Sequence, residues 1–340
     1  MSSFALRRKS FRRLGGLTLA GTLALSTLAI GGSSATPPPT GPAGLTTSVN
    51  APPLSGKAPA GALDAAGYWT AEKLRTAIPA DNPAVLHAAK GDSPKSTPDS
   101  NAGKTAGVAS HPVAPKLGSG NQTMADPVPS TAGKVFFTYN GRNYVCSAST
   151  INNNYKNLTI TAGHCVHSGA GQGWHANIAF APAYYNGQSG YGLWNWKTAR
   201  AFTSWTNNSD FSHDQAFVTF HPRNGQNLVD AVGGNGLVWG NSPDQGGVRI
   251  WGWPAEPPYN GQVPYYCDGT SYRWYAGSTD AALPCTMNGG ASGGPWLKDR
   301  INQNLGYVFA VTSRRTTSGT PLLLATPNSA DVKSMFDQMT

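Results

Sequence analysis

Apolar residues between positions 131 and 340 recur in short runs, not in helical arcs. Val135-Phe136-Phe137-Thr138-Tyr139 is rich in β-branched and aromatic side chains and predicts a strand. Asn140-Gly141 follows, a strong hairpin signal because both residues tolerate positive φ. Residues 143–151 then predict the return strand. Further short apolar runs at 158–161, 215–220, 248–253, 307–312 and 321–325 are separated by Gly, Asn, Pro and Ser. Short strands punctuated by turn residues predict an all-β barrel or sandwich. Helical spacing is convincing at the carboxyl end, where Ser329 can cap, Asp331 favours the amino-terminal turn, and Val332, Met335, Phe336 and Met339 share a face.

Residues 36–130 have a different pattern. They are rich in Pro, Ala, Gly, Ser and Lys and poor in large apolar side chains, so they predict a largely disordered segment. One island stands out, Tyr68-Trp69-Thr70-Ala71-Glu72-Lys73-Leu74-Arg75-Thr76-Ala77-Ile78-Pro79. Thr70 can cap a short helix near 69–78 that Pro79 ends, with Trp69, Leu74 and Ile78 as a small apolar face suited to docking. Before this segment, Arg7, Arg8, Lys9, Arg12 and Arg13 precede an apolar stretch of about 17 residues, short for a membrane span. Ser33-Ser34-Ala35 then supplies small residues for cleavage. Residues 1–35 are expected to be a secretory signal peptide, and the product to be extracellular with no stable membrane association.

Charge and cysteine content narrow the class. The formal charge of +9 is concentrated upstream: 5 Lys/Arg and no acid precede residue 36, whereas 131–340 holds 13 Lys/Arg against 10 Asp/Glu. No basic cluster interleaved with exposed aromatics stands in that span, which argues against nucleic-acid binding. Cys146, Cys165, Cys267 and Cys285 are an even set in an exported chain and predict two disulfides. Of three possible pairings, the sequence-local one, Cys146–Cys165 and Cys267–Cys285, is expected. Each loop would contribute about 3 kcal/mol in the chain-entropy model. No C-x-x-C spacing supports a zinc site, and no metal is expected.

Three motifs carry candidate chemistry. Thr161-Ala162-Gly163-His164-Cys165 delivers a histidine from a strand end beside a disulfide cysteine, a setting that would hold an imidazole in one orientation. His213-Asp214-Gln215-Ala216-Phe217-Val218-Thr219-Phe220 opens a strand with an aspartate able to accept from an imidazole nitrogen; Asp210, in Asn207-Asn208-Ser209-Asp210, reads as loop. Asn288-Gly289-Gly290-Ala291-Ser292-Gly293-Gly294-Pro295-Trp296 surrounds a serine with glycines, so main-chain amides can approach a carbonyl unobstructed. Their order tests the alternatives. A nucleophile elbow of the G-x-S-x-G type needs a later histidine, and none follows Ser292. Aspartate-first order fails because no Asp or Glu lies between 131 and 164. The remaining histidines, including His167, His175, His213 and His221, lack comparable context.

These motifs, in this order, resemble those of secreted bacterial chymotrypsin/trypsin-like serine proteases, in particular the glutamyl-endopeptidase-like branch with signal peptide and pro-segment. The resemblance covers residues 131–340. Ala181-Pro182-Ala183-Tyr184-Tyr185-Asn186-Gly187, Tyr191-Gly192-Leu193-Trp194 and the Tyr68-Trp69 island add to it. It implies two packed antiparallel six-stranded β-barrels with a short carboxyl-terminal helix, and a secreted serine endopeptidase working through an acyl-enzyme. His164, Asp214 and Ser292 would be catalytic and Gly290 and Ser292 would form the oxyanion hole. Residues 36–130 would be a pro-segment, bound as a partner before maturation of a monomeric enzyme with polypeptide substrates and no cofactor. Thr286, Thr312, Ser313 and Arg314 would line the pocket for the residue before the cut. No acid stands at Thr286, which argues against a Lys/Arg preference, and the basic groups nearby would suit Glu or Asp. Ala291 departs from the family, which has an aspartate there to pair with a new amino terminus, so activation would need another switch. The alternative is an inactive homologue or a secreted aromatic-rich binding module.

Overall fold

The Asn140-Gly141 turn takes positive φ at both residues, 46° and 74°. It joins β1 (Ala132–Tyr139) to β2 (Arg142–Ile151) in antiparallel register from Ala132↔Ser149 to Tyr139↔Arg142. The computed structural model describes residues 44–52, 67–80, 106–116 and 128–340, all within one unit, Gly41–Thr340. The leader read at 1–35 lies outside the described residues. Among them, no helix is long and apolar enough to cross a membrane.

The hairpin grows into a closed barrel. β3 (Leu158–Thr161), β4 (Ala176–Pro182), β5 (Trp194–Phe202) and β6 (Ala216–Phe220) follow. Hydrogen bonding runs β5-β6-β3-β2-β1-β4 and returns to β5 through Trp194↔Phe180, so six antiparallel strands close on themselves. Val135, Val145, Ile160, Phe180 and Val218 are fully buried within this half. Closure pairs most of the strand edges, while parts of β2 and β5 outside the closing ladders stay open to further pairing.

The second half is a sheet. Its strands are β7 (Gly236–Trp239), β8 (Gln245–Gly252), β9 (Tyr265–Arg273), β10 (Ala281–Pro284), β11 (Pro295–Lys298), β12 (Tyr307–Val311), β13 (Arg314–Arg315) and β14 (Leu322–Ala325). Their order is β13-β14-β10-β9-β8-β11-β12-β7. This hydrogen-bonded path stays open, and β7 pairs with β12 in parallel, Gly236↔Tyr307. The all-β architecture expected of the sequence is thus present, its first half a closed barrel and its second an extended sheet. The helix Ala330–Asp337 ends the chain; the Ser329 hydroxyl accepts from the amides of Asp331 and Val332, and Val332, Met335 and Phe336 are buried.

Parts of the segment upstream of 130 are built into this body. Thr46–Asn50 adds antiparallel to β5, and Gly107–Ser110 adds antiparallel to β7. Their sequences, TTSVN and GVAS, offer one valine each, Val49 packed on the core and Val108 exposed, so main-chain pairing contributes much of their hold and hydropathy does not reveal them. The helix Ala71–Thr76 is capped by the Thr70 hydroxyl, which accepts from the Lys73 amide, and Ile78–Pro79 lies parallel to β2.

One of the buried polar positions in the core is a lysine. Lys134 on β1 is 1% exposed. Its ammonium donates to the Gly261 carbonyl at 2.9 Å and stands 4.5 Å and 5.1 Å from the ring centres of Tyr184 and Phe136. Aromatic faces and one carbonyl offset part of the desolvation of a cation. Burial lowers the Lys134 pKa from 10.5 to about 7. The unfolded chain keeps that proton up to the ordinary lysine value, while the folded chain has lost it. Stability should therefore rise as pH climbs from about 7 towards 10.5. Lys134→Met is expected to remove that rise, measured as urea midpoints at pH 7 and 9; an unchanged slope would show that the amine titrates normally.

Candidate active site

The imidazole is delivered by the end of β3. After Thr161 the chain tightens into a short 3-10 turn, Gly163–Cys165, with His164 only 3% exposed. A side chain at 163 would meet Asp214 Oδ1 and the Trp205 ring at 3.0 Å, so glycine is what lets the turn close on the carboxylate. The disulfide Cys146–Cys165 ties this turn to β2, and Cys267–Cys285 ties β9 to the segment after β10, as the sequence-local pairing predicted.

Asp214 sits between the turn Phe211–His213 and β6, 1% exposed. Its Oδ1 accepts from the His164 amide at 2.8 Å. Its Oδ2 meets His164 Nδ1 at 2.8 Å and accepts from the Ser313 hydroxyl at 2.6 Å. A carboxylate only accepts, so the proton of the neutral ring belongs on Nδ1 and the lone pair on Nε2. Asp210 serves a different histidine. It accepts from the Ser212 amide and meets His213 Nδ1 at 3.1 Å, and the His213 hydrogen bond leads in lowering its pKa to about 2.

The serine loop crosses the seam between the halves. The Ser292 carbonyl accepts from the Ser147 amide at 2.7 Å and lies 3.8 Å from Cys165 Sγ, next in chain to His164. The Ser147 hydroxyl donates to the Gly290 carbonyl and accepts from the Trp253 amide, 2.8 Å and 3.0 Å. Gly290 and Gly293 take φ of 99° and 79°. A side chain at 293 would strike the Ser147 carbonyl, the Thr161 hydroxyl and the Ala162 amide; one at 290 would stand 2.6 Å from the Trp253 carbonyl. The glycines around Ser292 are thus set by backbone crossing at close range. Ser292 is 2% exposed.

The expected pocket residues have prior partners. Ser313 holds Asp214. Thr312 accepts from Trp296 Nε1 at 3.0 Å. Arg314 pairs with Asp280 and lies over Phe211, and Arg315 pairs with Glu256 at 2.6 Å. Thr286 is exposed and bonded to the Tyr259 hydroxyl at 2.7 Å. Sequence pattern did not indicate Ser147 or Glu256, nor that Ser313, expected in the pocket, would bond to Asp214, because nothing local marks a hydroxyl or carboxylate whose partner is far along the chain. Two other histidines are structural: His175 stacks on Phe137 at 4.2 Å and burial pushes its pKa down to about 3, and His167 Nδ1 accepts from the Gly169 amide. Cys146 Sγ, Cys165 Sγ and a His164 nitrogen lie within 4.8 Å of one another. Those sulfurs are bonded together, however, and offer no thiolate to a metal.

No protein-family model and no curated protein matches the chain. Solved structures do. A thermostable serine protease, AL20, from an extremophilic microorganism matches at 30% identity and TM-score 0.58, covering 63% of this chain and 100% of that one. The protease Anisep from Arthrobacter nicotinovorans matches at 34% identity and TM-score 0.57, over 62% of this chain and 95% of its own. A Glu endopeptidase in complex with MPD shares the fold at 19% identity and TM-score 0.50, over 65% and 95% of the two chains.

The crossing can be tested by adding one methyl group. Gly293→Ala combines positive φ with backbone collisions and is expected to cost roughly 3 kcal/mol of unfolding free energy. Gly141→Ala has similar φ but no neighbour within 4 Å and should cost about 1–2 kcal/mol. Urea denaturation measures both; equal losses would show that strain, not the crossing, demands glycine at 293.

Proposed function

This chain belongs to the bacterial serine proteases of chymotrypsin-like fold, and on that premise we propose that it is a secreted endopeptidase with the triad His164, Asp214 and Ser292. The observation that carries the reading is the buried 2.8 Å bond between His164 Nδ1 and an aspartate held also by a backbone amide and Ser313. Such a carboxylate fixes the imidazole tautomer and favours the imidazolium that forms when the ring takes a proton.

In the proposed reaction Ser292 Oγ attacks the scissile carbonyl while His164 Nε2 takes its proton. The tetrahedral oxyanion rests on the amides of Gly290 and Ser292, each donor being worth about 3–4 kcal/mol of barrier. His164 returns the proton to the leaving amine, and water then releases the acyl group by the same steps in reverse roles. Residues 1–35 would be removed on export and the segment to about 130 on maturation. Two disulfides agree with an oxidising compartment. Because Arg314 and Arg315 are held by Asp280 and Glu256, they do not argue for an acidic side chain before the cut. Thr286 and Tyr259 offer neutral hydroxyls there.

Ser292→Ala should retain the fold and lose casein hydrolysis by roughly four orders of magnitude or more. Wild-type turnover in that variant would remove Ser292 as nucleophile. A fluorophosphonate should attach at Ser292, located by mass on the processed chain; an inactive homologue or a binding module would not react.

A further inference from the structure

Two stretches of chain run side by side next to Ser292. Residues 285–294 carry the serine. Residues 312–321 hold Asp214 through the Ser313 hydroxyl. At one end the Gly293 amide donates to the Thr312 carbonyl and the Thr312 amide to the Gly294 carbonyl, 2.7 Å and 2.9 Å. At the other end the Cys285 amide donates to the Pro321 carbonyl at 3.0 Å. The space between these ties opens beside Ser292, so a substrate side chain before the cut would enter there, between Thr286 and Gly289 on one side and Arg315 on the other.

Strand alternation sorts the two arginines of the second stretch. Arg314 and Arg315 form β13, paired with Leu324 and Leu323 of β14, so their side chains leave on opposite faces. Arg314 turns to Asp280 and the Phe211 ring. Arg315 turns to the serine stretch, where its Nη2 donates to Glu256 Oε2 at 2.6 Å. The Gly289 amide donates to the same oxygen at 3.4 Å. A β-carbon at Gly289 would stand 2.7 Å from Glu256 Oε1, so the carboxylate lies directly on that glycine. Glu256 belongs to neither stretch; it comes from the loop after β8. Its amide donates to Asn288 Oδ1 at 3.2 Å and its carbonyl accepts from Asn288 Nδ2 at 2.8 Å, so its backbone is fixed to the stretch it faces. The side chains of Arg315 and Glu256 keep 32% and 24% exposure, so groups from solution can reach the pair.

We propose that Glu256 is a specificity-determining residue, a built-in counter-ion that takes Arg315 out of substrate recognition and leaves the pocket selective for neutral side chains. The proposal rests on the proteolytic reading above. A carboxylate already fixed to the fold loses no association entropy on meeting Arg315, whereas a substrate carboxylate does. An acidic substrate side chain also meets Glu256 at close range and is repelled, and a basic one meets the same obstacle in Arg315. Removing either partner leaves the other charge unpaired at the pocket wall. A substrate side chain of opposite charge then satisfies it.

The test uses chains expressed at full length and allowed to process, with fluorogenic peptides identical except for Glu, Gln or Lys before the cut. Wild type is expected to favour Gln over both Glu and Lys in kcat/KM. Glu256→Gln should raise the Glu-to-Gln ratio roughly tenfold or more without raising the Lys-to-Gln ratio. Arg315→Gln should do the reverse. Each ratio is internal to one preparation, so a partly unfolded variant does not shift it. An unchanged Glu-to-Gln ratio in Glu256→Gln would overturn the proposal. Equal gains for Glu and Lys would overturn it too, since they would mean a loosened pocket and no charge released. So would wild type that already cuts better after Glu or Lys than after Gln, a result that needs no variant. Chain that labels with fluorophosphonate at Ser292 but shows the wrong ratios sinks this proposal alone. If no form labels and no peptide is cut, the proteolytic reading fails and this proposal with it.

Discussion

The halves of this molecule interlock through the backbone of Ser147. Its amide binds the Ser292 carbonyl, its hydroxyl links the Gly290 carbonyl to the Trp253 amide, and its own carbonyl accepts from the Thr161 hydroxyl. Main chain can approach main chain this closely only where β-carbons are missing. Gly290 and the Gly293-Gly294 pair therefore follow from the crossing as much as from any need to admit a substrate carbonyl, whereas Gly289 makes room for the side chains of Glu256 and Pro79. Because the serine loop is pinned to β2, and β2 is pinned by a disulfide to the residue after His164, the seam fixes the distance scale of the whole site.

Two buried polar side chains along that seam, Asp214 and Asn235, are fully matched. Asp214 receives three donors from two separate parts of the chain, the amide and ring of His164 and the hydroxyl of Ser313. Asn235, fully buried, donates to Thr131 and Ser149 and accepts from the Gly306 amide, tying the barrel to the second sheet. A buried donor or acceptor without a partner typically costs about 1–3 kcal/mol, so such networks reject alternative packings of the two halves. Lys134 is the exception in kind: it is held by one carbonyl and two aromatic faces, and its proton is correspondingly easy to lose.

The upstream pieces exploit what the body leaves open. One strand extends β5, one extends β7, and the 68–80 island takes the edge of β2. Strand edges accept any sequence that offers amides and carbonyls in register, which explains how a Gly-, Ser- and Thr-rich segment docks without a core of its own. Trp69 is buried and Leu74 and Ile78 half-buried against the core, the three side chains there whose packing the sequence announced.

Short-range chemistry was legible directly. The Asn140-Gly141 hairpin, the Thr70 and Ser329 caps and the apolar runs of β1, β2, β3, β6, β8, β12 and β14 rest on preferences that act within about four residues. The order His164, Asp214, Ser292 was also legible, since it needs only the chain. Strands such as Thr46–Asn50, Gly107–Ser110 and Tyr265–Arg273 were not, because one face or both meet solvent and hydropathy has no period to show. Tertiary structure alone decided that Ser313 reaches Asp214 across 99 residues and that Cys165 meets the Ser292 carbonyl across 127. It alone turned Arg314 and Arg315 towards Asp280 and Glu256. The partner of a buried polar group depends on sheet register and on how two sheets meet, and no local pattern of residues encodes either.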